Sequence, residues 1–212
     1  MIALLFVGDG ERDAATVPAL VETLLQTPFR AETRTWARLH GALTTAKQRQ
    51  KKPAQKGYER KLRFAVRQAN DAGAAGVVAT VDSDSDKPGT KLRRLRKGRE
   101  TARSDPSAIP IALGEARPHG EAWLLDDAQA VRSALGLGGD DVVPSTREVT
   151  SPKTKLHALL AASPRAGERP LDVWKDIARN VRLGRCGNPK RTGFSKFVKD
   201  VADQLGHLGS RR

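Results

Sequence analysis

The chain has 212 residues, a formal net charge of +14 at pH 7 and 38% hydrophobic residues. This apolar content is enough for a folded core, which argues against global disorder. The one cysteine, Cys186, excludes an intramolecular disulfide and fits a reducing compartment. No apolar run approaches the roughly 20 residues that a membrane-spanning helix needs. We therefore expect a cytoplasmic protein without a membrane partner.

Strands and helices are predicted to alternate through the first 145 residues. Continuous apolar runs indicate buried strands, and apolar residues at helical spacing indicate amphipathic helices. Such alternation is typical of an α/β fold with a mostly parallel sheet flanked by helices. In chain order, the predicted elements are a strand at 2–7, a helix at 13–26, a weak strand at 33–36, a helix at 58–69, a strand at 76–81, a helix at 90–103, a strand at 109–113 and a helix at 121–135. A polar segment at 47–56 is predicted to be a loop.

The character of the chain changes after the Gly/Asp-rich residues 136–141. Apolar spacing predicts helices at 153–162, 171–182 and 194–206, and Ser151-Pro152 is a typical cap followed by proline at the first helical position. We therefore predict two parts. Residues 1–145 would form an α/β domain, and residues 146–212 a helical, basic C-terminal extension packed on it.

Charge is distributed unevenly along the sequence. Residues 47–67 carry a net charge of +8 and residues 87–103 carry +7, whereas residues 68–86 carry −4 and residues 104–146 carry −5. Residues 147–212 add +9. Acidic stretches framed by basic ones suggest a metal site within a surface that binds a polyanion. The alternative is that the basic segments are solvated loops.

Both strong strands in the predicted sheet are followed by carboxylates. Asp9 and Glu11 follow the first strand, and Asp82, Asp84 and Asp86 follow the strand at 76–81. Ligand sites of open parallel sheets form at the carboxyl ends of the strands. Close carboxylates repel one another unless a cation lies between them, and hard oxygen ligands suit Mg²⁺ or Mn²⁺. The pattern therefore predicts a divalent-metal site.

Three alternatives account for the same acidic residues. Aspartate and serine are common turn and cap residues, so the run 82–86 could simply start the next helix. An EF-hand fits the first three ligand positions but not Lys87 or Arg93, which stand where glycine and glutamate belong. A nucleotide-binding loop is disfavoured because Gly8-Asp9-Gly10 lacks a third glycine and no GK[ST] follows.

The arrangement resembles a Toprim domain, the catalytic fold of topoisomerases, primases and OLD-family nucleases. The resemblance rests on an apolar strand followed by Glu11, then a helix, then an apolar strand ending in Asp82-Ser83-Asp84. Gly114-Glu115 followed by Glu121-Ala122-Trp123-Leu124-Leu125 is similar to a segment of a bacterial family of unknown function related to the OLD-type Toprim domain. Ser151-Pro152-Lys153 and the helix with Phe194 and Phe197 also resemble that family.

The resemblance implies a fold and a set of site residues. The fold would be a Toprim-like, Rossmann-like parallel sheet. Glu11 would serve as general acid or base or as a metal ligand, Asp82 and Asp84 would hold Mg²⁺ or Mn²⁺, and Asp86 would be a further ligand. Related nucleases often show Glu-Gly, a small polar residue and an acid where this chain has Gly8-Asp9-Gly10-Glu11, so Asp13 could fill a secondary acidic position. Asp9, Asp13, Glu115 and Glu121 are expected near the site.

The predicted function is Mg²⁺-dependent hydrolysis of phosphodiester bonds in DNA or RNA, within a bacterial phage-defence or repair system. A second subunit such as an ATPase, or a homo-oligomer, is an expected partner by the same resemblance. The alternatives are a non-catalytic nucleic-acid-binding subunit and an enzyme acting on a small phosphorylated substrate. The residues expected to contact nucleic acid are basic: Lys87, Lys91, Arg93, Arg94, Lys153, Lys155, Arg185, Lys190 and Arg191.

Overall fold

A parallel β-sheet organises the molecule. The structure, a computed structural model, describes residues 1–39, 57–83 and 89–209. Within these residues the sheet has four strands in the order β2-β1-β3-β4, and every neighbouring pair is parallel. The strands are β1 (Ile2–Gly8), β2 (Phe29–Thr35), β3 (Gly76–Asp82) and β4 (Ile111–Ala116). The prediction of an α/β fold with a parallel sheet flanked by helices is confirmed.

The helices follow the strands in the predicted alternation. Their bounds, numbered in chain order, are α1 (Glu11–Leu25), α2 (Tyr58–Asp71), α3 (Thr90–Arg103), α4 (Glu121–Leu125), α5 (Ala128–Leu135), α6 (Pro152–Ala161), α7 (Pro170–Asn180) and α8 (Phe194–Gly209). The predicted loop at 47–56 lies outside the described residues.

Two strands differ from their predicted bounds. The second strand begins at Phe29, earlier than predicted, because its whole length pairs with β1 from Ile2 to Gly8. The fourth begins at Ile111, just after Pro110, whose ring nitrogen cannot donate to a ladder but whose carbonyl accepts from Val77 N–H at 2.9 Å. The ends of these two strands are therefore set by pairing with a neighbouring strand, which the composition of the segment does not reveal.

The predicted helix at 121–135 is wrong as a single helix, because the chain breaks it at Asp126 and Asp127. Asp127 has extended backbone angles, and its carboxylate accepts a hydrogen bond from Ala130 N–H at 3.0 Å, capping α5. Asp126 ends α4 and turns its carboxylate to residues of the C-terminal part. Side chains that hydrogen-bond to the backbone compete with a continuous helix, and here two in a row do so.

Helices cover both faces of the sheet, and each face has its own hydrophobic core. Alternate residues of β1 point to opposite sides, so Leu4 and Phe6 belong to one core and Leu5 and Val7 to the other. The core on the Leu5 side is completed by α2 and α3. The core on the Leu4 side is completed by α1 and by α4 to α8.

The helices of the predicted C-terminal extension pack into the core on the Leu4 side. Trp174 of α7 and Phe197 of α8 are fully buried there, beside Leu20 of α1. Trp123 of α4 stacks on Phe197 with ring centroids 4.7 Å apart. This part of the chain therefore covers one face of the sheet together with α1, α4 and α5. Among the helices that the structure describes, none is both long enough and apolar enough to cross a membrane.

Candidate functional site

The carboxyl ends of β1 and β3 meet at the point where the strand order reverses. The chain goes from β1 outward to β2 and returns to place β3 on the other side of β1. Open α/β sheets bind ligands in the crevice formed at such a point. Asp9 follows β1 and Asp82 ends β3, and Asp9 Oδ2 accepts a hydrogen bond from Asp82 N–H at 2.6 Å. The structure therefore brings these two predicted residues together.

Asp13, in the first turn of α1, lies directly behind this pair. Its Oδ2 accepts hydrogen bonds from Asp9 N–H at 2.7 Å and Gly10 N–H at 3.3 Å, which anchors the loop to the helix. Gly8 allows this close approach, since a Cβ there would lie 2.4 Å from Asp13 Cβ. The glycine before Asp9 is thus required by packing.

The electrostatics of this cluster are unfavourable to negative charge. Burial raises the pKa of Asp82 to about 8, and repulsion from Asp13, Asp9 and Glu121 adds to it, while the Gly120 N–H acts in the opposite direction. Burial likewise raises the pKa of Asp13 to about 6, with repulsion from Asp9 and Glu121 contributing. Burial and mutual repulsion therefore both disfavour the charged form of these two carboxyl groups.

An open cleft of about 400 Å³ lies over Asp9 and Asp82. Its other walls are mostly cationic or aromatic, and are formed by Arg12, Tyr58, Lys91, His119 and Lys153. Lys91 Nζ donates to Asp82 O at 2.9 Å and lies 4.0 Å from Asp9 Oδ2. Tyr58 Oη lies 3.4 Å from Asp9 Oδ1. A carboxylate floor with cationic walls is suited to a metal ion and a phosphate at the same time.

The segment after β4 forms another wall of the cleft, beside the ends of β1 and β3. His119 Nδ1 lies 3.3 Å from Asp82 Oδ2, and Gly120 N–H donates to Asp82 Oδ1 at 3.0 Å. His119, Arg12 and Tyr58 are cleft residues that the sequence did not single out as such. The signal for His119 is its place just after a strand of the same parallel sheet, since all these strand ends meet at one edge.

The other predicted acidic residues take different positions. Glu11 is the exposed first residue of α1, and it is not one of the residues that line the cleft. Glu121 is buried at the start of α4, where it pairs with Arg12. Glu115, at 4% exposure, accepts from Gly89 N–H at 2.8 Å and pairs with Arg117, so it fixes the start of α3 against β4.

Three predicted residues, Asp84, Asp86 and Lys87, lie outside the described residues. Among the described residues, no three His, Cys, Asp or Glu side chains form a group that could hold a metal ion by itself. The donor type nevertheless fits Mg²⁺ or Mn²⁺, because Asp9 and Asp82 offer carboxylate oxygens to one cleft. A divalent cation there would offset the repulsion that Asp9 and Asp13 exert on Asp82.

Of the basic residues predicted to contact nucleic acid, Lys91 and Lys153 line the carboxylate cleft. Arg93 and Arg94 lie on the exposed side of α3, and Lys190 and Arg191 are exposed before α8. Lys155 is half-buried in α6. Arg185 donates from Nε to the buried Asp127 at 2.9 Å, so at least part of its role is structural.

The thiol of Cys186 is not activated, although basic residues flank it in the sequence. Burial raises the pKa of this thiol to about 12, and Asp126 and Asp127 raise it further, while Arg185 acts in the opposite direction. Its sulfur donates to Arg182 O at 3.4 Å. Since the thiolate is the reactive form, this cysteine is not a nucleophile at neutral pH.

The fold and the site together define the class: a parallel α/β protein with a carboxylate cleft at the reversal point of its sheet. Neither a protein-family model nor a solved structure matches the chain. A serine--tRNA ligase of Dechloromonas aromatica (strain RCB) is 32% identical over 84 residues, 39% of this chain and 20% of that protein. A serine--tRNA ligase of Burkholderia multivorans (strain ATCC 17616 / 249) is 27% identical over 117 residues, 55% of this chain and 25% of that protein. The chain thus spans a quarter or less of these relatives, which shows neither family nor function.

Proposed function

We propose that this protein is a Mg²⁺- or Mn²⁺-dependent phosphodiesterase that cleaves nucleic acid with a Toprim-like site. One observation carries the proposal: the carboxylates of Asp9 and Asp82 share a cleft whose walls present Arg12, Lys91 and Lys153. Metal-dependent hydrolysis of a phosphodiester uses carboxylates to hold the metal ion, and basic side chains can hold the phosphate. This cleft has both, at the sheet edge where such sites form.

The carboxylates have distinct roles in this proposal. Asp82 and Asp9 hold the metal ion, with Asp84 and Asp86 as additional ligands from the segment that follows β3. Asp13 positions Asp9 by accepting its backbone N–H. Asp9 takes the place that the sequence assigned to Glu11, because it is Asp9 that lies beside Asp82. When bound, the metal ion would polarise the phosphate and lower the pKa of an attacking water.

The cationic walls act on the substrate. Lys91 is fixed by Asp82 O, so its ammonium group is already positioned when a phosphate enters. Lys153 reaches the same cleft from the first turn of α6, where a cation opposes the helix dipole unless an anion is bound nearby. His119, within reach of Asp82 Oδ2, is placed to exchange a proton with a group in the cleft.

The resemblance to OLD-type nucleases supports the same proposal and adds a context. Such a domain would work in the cytoplasm, in phage defence or repair, together with a second subunit such as an ATPase or as a homo-oligomer. Those parts of the proposal rest on the resemblance alone.

A cleavage assay tests the function. Wild type is incubated with supercoiled plasmid and with labelled single-stranded DNA and RNA, in Mg²⁺, in Mn²⁺ and in EDTA. We expect cleavage with either metal, none in EDTA, and a loss of at least 100-fold in Asp82→Asn, in line with the loss of a metal ligand. Glu22→Gln, an exposed residue farther along α1, is the control and should cleave like wild type. Equal activity of Asp82→Asn and wild type would refute the proposal.

The second candidate is a nucleic-acid-binding subunit without chemistry. The exposed arginines of α3 favour it, because a basic helical surface binds polyanions without any metal. It predicts tight, salt-dependent binding that is the same in EDTA, with no cleavage under any metal. Loss of binding on removal of the metal would count against it.

A further inference from the structure

A second cleft, separate from the carboxylate cleft, lies between the residues after β4 and the segment before α6. Its volume is about 310 Å³, and we call it the arginine cleft. None of its lining residues that the structure describes is acidic. Its polar lining consists of three arginines and three threonines: Arg117, Arg147, Arg191, Thr146, Thr150 and Thr192. Thr146 and Thr192 are buried, and their hydroxyls donate to Asp126 Oδ1 at 2.7 Å and to Asn188 O at 3.3 Å, so the arginines supply most of the polar groups that a ligand would meet.

The floor of the arginine cleft is rigidly built. The buried carboxylate of Asp126 accepts hydrogen bonds from Asn188 N–H at 2.9 Å and from Thr146 Oγ1 at 2.7 Å. Thr192 O accepts from Arg117 N–H at 3.0 Å and from Trp123 Nε1 at 2.8 Å. These bonds tie three separate segments of the chain into one surface, so the cleft exists before any ligand binds.

The three arginines of this cleft differ in whether a carboxylate balances their charge. Arg117 pairs with the buried Glu115 at 2.6 Å, so its charge is largely balanced. Arg147 donates to Asn188 Oδ1, which is neutral, and Arg191 is exposed. The excess positive charge of the cleft therefore comes from Arg147 and Arg191.

The two clefts adjoin along a common ridge. His119 lines the carboxylate cleft and its neighbour Pro118 lines the arginine cleft. In the same way, Lys153 lines the first and Pro152 the second. Two pairs of consecutive residues thus separate the clefts, and a chain lying over the ridge would contact both.

We propose that the arginine cleft binds the backbone phosphates of a nucleic-acid strand whose neighbouring phosphodiester lies over the carboxylate cleft. The inference rests on the proposed function and deepens it, because it assigns a polymeric substrate to the site. A small phosphorylated substrate fills one cleft, whereas a strand carries regularly repeated phosphates and engages both. Guanidinium groups on a prebuilt surface are suited to such phosphates.

Binding measured without metal tests this inference independently of cleavage. A labelled single-stranded DNA oligonucleotide is titrated with protein in EDTA at several salt concentrations, by fluorescence anisotropy. Each phosphate contact on a single strand contributes about 0.7 to the slope of log K against log salt. We expect Arg191→Gln to lower the slope by about 0.7 and Arg147→Gln/Arg191→Gln to lower it by about 1.4.

Two controls make the result specific. Arg169→Gln/Lys175→Gln removes two exposed cations, one just before α7 and one within it, neither of which lines a cleft, and should leave the slope near that of wild type. Arg147→Lys/Arg191→Lys keeps the charge and should keep most of the slope. Equal slopes for wild type, Arg191→Gln and the double glutamine variant would overturn the inference, and so would an equal loss in the α7 control. Wild-type protein that binds with the expected slopes but never cleaves would refute the proposed function and leave the arginine cleft supported.

Discussion

The carboxylate of Asp9 accepts a hydrogen bond from the backbone N–H of Asp82 at 2.6 Å. This bond joins the ends of two adjacent parallel strands and holds the Asp9 carboxylate at the end of β3, where Asp82 lines the same cleft. The same side chain therefore stabilises the sheet edge and takes part in the site. The two roles can be separated, because the hydrogen bond needs an oxygen acceptor whereas metal binding needs the negative charge.

We expect Asp9→Asn to be more stable than Asp9→Ala by about 1 kcal/mol, the usual net contribution of one hydrogen bond. Both variants remove the charge and so relieve the same repulsion on Asp82, but the amide oxygen can still accept from Asp82 N–H. Urea denaturation of the two variants at one pH measures the difference. Equal free energies of unfolding would show that the bond to Asp82 contributes nothing.

Gly8→Ala should destabilise the protein by about 1–3 kcal/mol, the usual cost of overpacking. The new Cβ would lie 2.4 Å from Asp13 Cβ, so α1 or the loop before it must move. Gly139→Ala is a matched control, because a Cβ at that exposed position would meet nothing within 4 Å. Thermal denaturation of the two variants and of wild type measures the difference as a shift in melting temperature. A melting temperature of Gly8→Ala equal to that of the control would contradict the close packing of Asp13.

The sequence predicts the order of the elements well because buried strands and amphipathic helices leave direct patterns. The apolar run at 2–7 and the run at 76–81 appear as β1 and β3 with shifts of one residue at their ends. The sequence-based prediction is wrong at Asp126 and Asp127, because the residues on both sides have the spacing of a single helix. The helix is broken there by a local cap, in which Asp127 accepts from Ala130 N–H, and by hydrogen bonds to residues 146, 182 and 188, far along the chain, which no local pattern shows.

Asp127→Ala should lower the free energy of unfolding by about 3 kcal/mol, through loss of a helix cap and of a buried ion-pair partner. The carboxylate is fully buried, accepts from Ala130 N–H and Arg182 N–H, and pairs with Arg185. Glu22→Ala, on an exposed turn of α1, is the control and should cost less than about 0.5 kcal/mol. A similar small cost for both variants would show that Asp127 does not hold α5 to the C-terminal segment.

The thiol of Cys186 should react slowly in the folded protein even at alkaline pH. Burial raises its pKa from 9.0 to about 12. At a pH between these two values, the thiol is therefore protonated in the folded protein and ionised in the unfolded chain. The protonated thiol therefore favours the folded state below pH 9, and this contribution is lost as the pH rises towards 12. Alkylation by iodoacetamide at pH 9, with and without urea, measures the effect. We expect at least a tenfold slower reaction without urea, and equal rates would contradict the raised pKa.

The candidate site could be predicted in part, because carboxylates after parallel strands meet at one edge of the sheet. Asp82 was predicted as a ligand and lies in the cleft. The sequence analysis assigned the ligand role to Glu11 and placed Asp9 only near the site. Both residues follow β1, and the turn into α1, which no local pattern reveals, is what brings Asp9 and not Glu11 into the cleft. His119 and Arg12 reach the cleft from other elements, so their place depends on how α1 and the end of β4 pack.

Calorimetric titration of Mn²⁺ into the metal-free protein tests the central claim most directly, because it asks whether the Asp9–Asp82 cleft holds a divalent cation. Wild type and Glu22→Gln should bind with the same affinity, and Asp82→Asn should bind at least tenfold more weakly, as expected when a charged ligand is lost. Asp82→Asn keeps the oxygen that accepts from Gly120 N–H, so the fold should be retained. Equal affinity of Asp82→Asn and wild type, or no Mn²⁺ binding by wild type, would contradict the account.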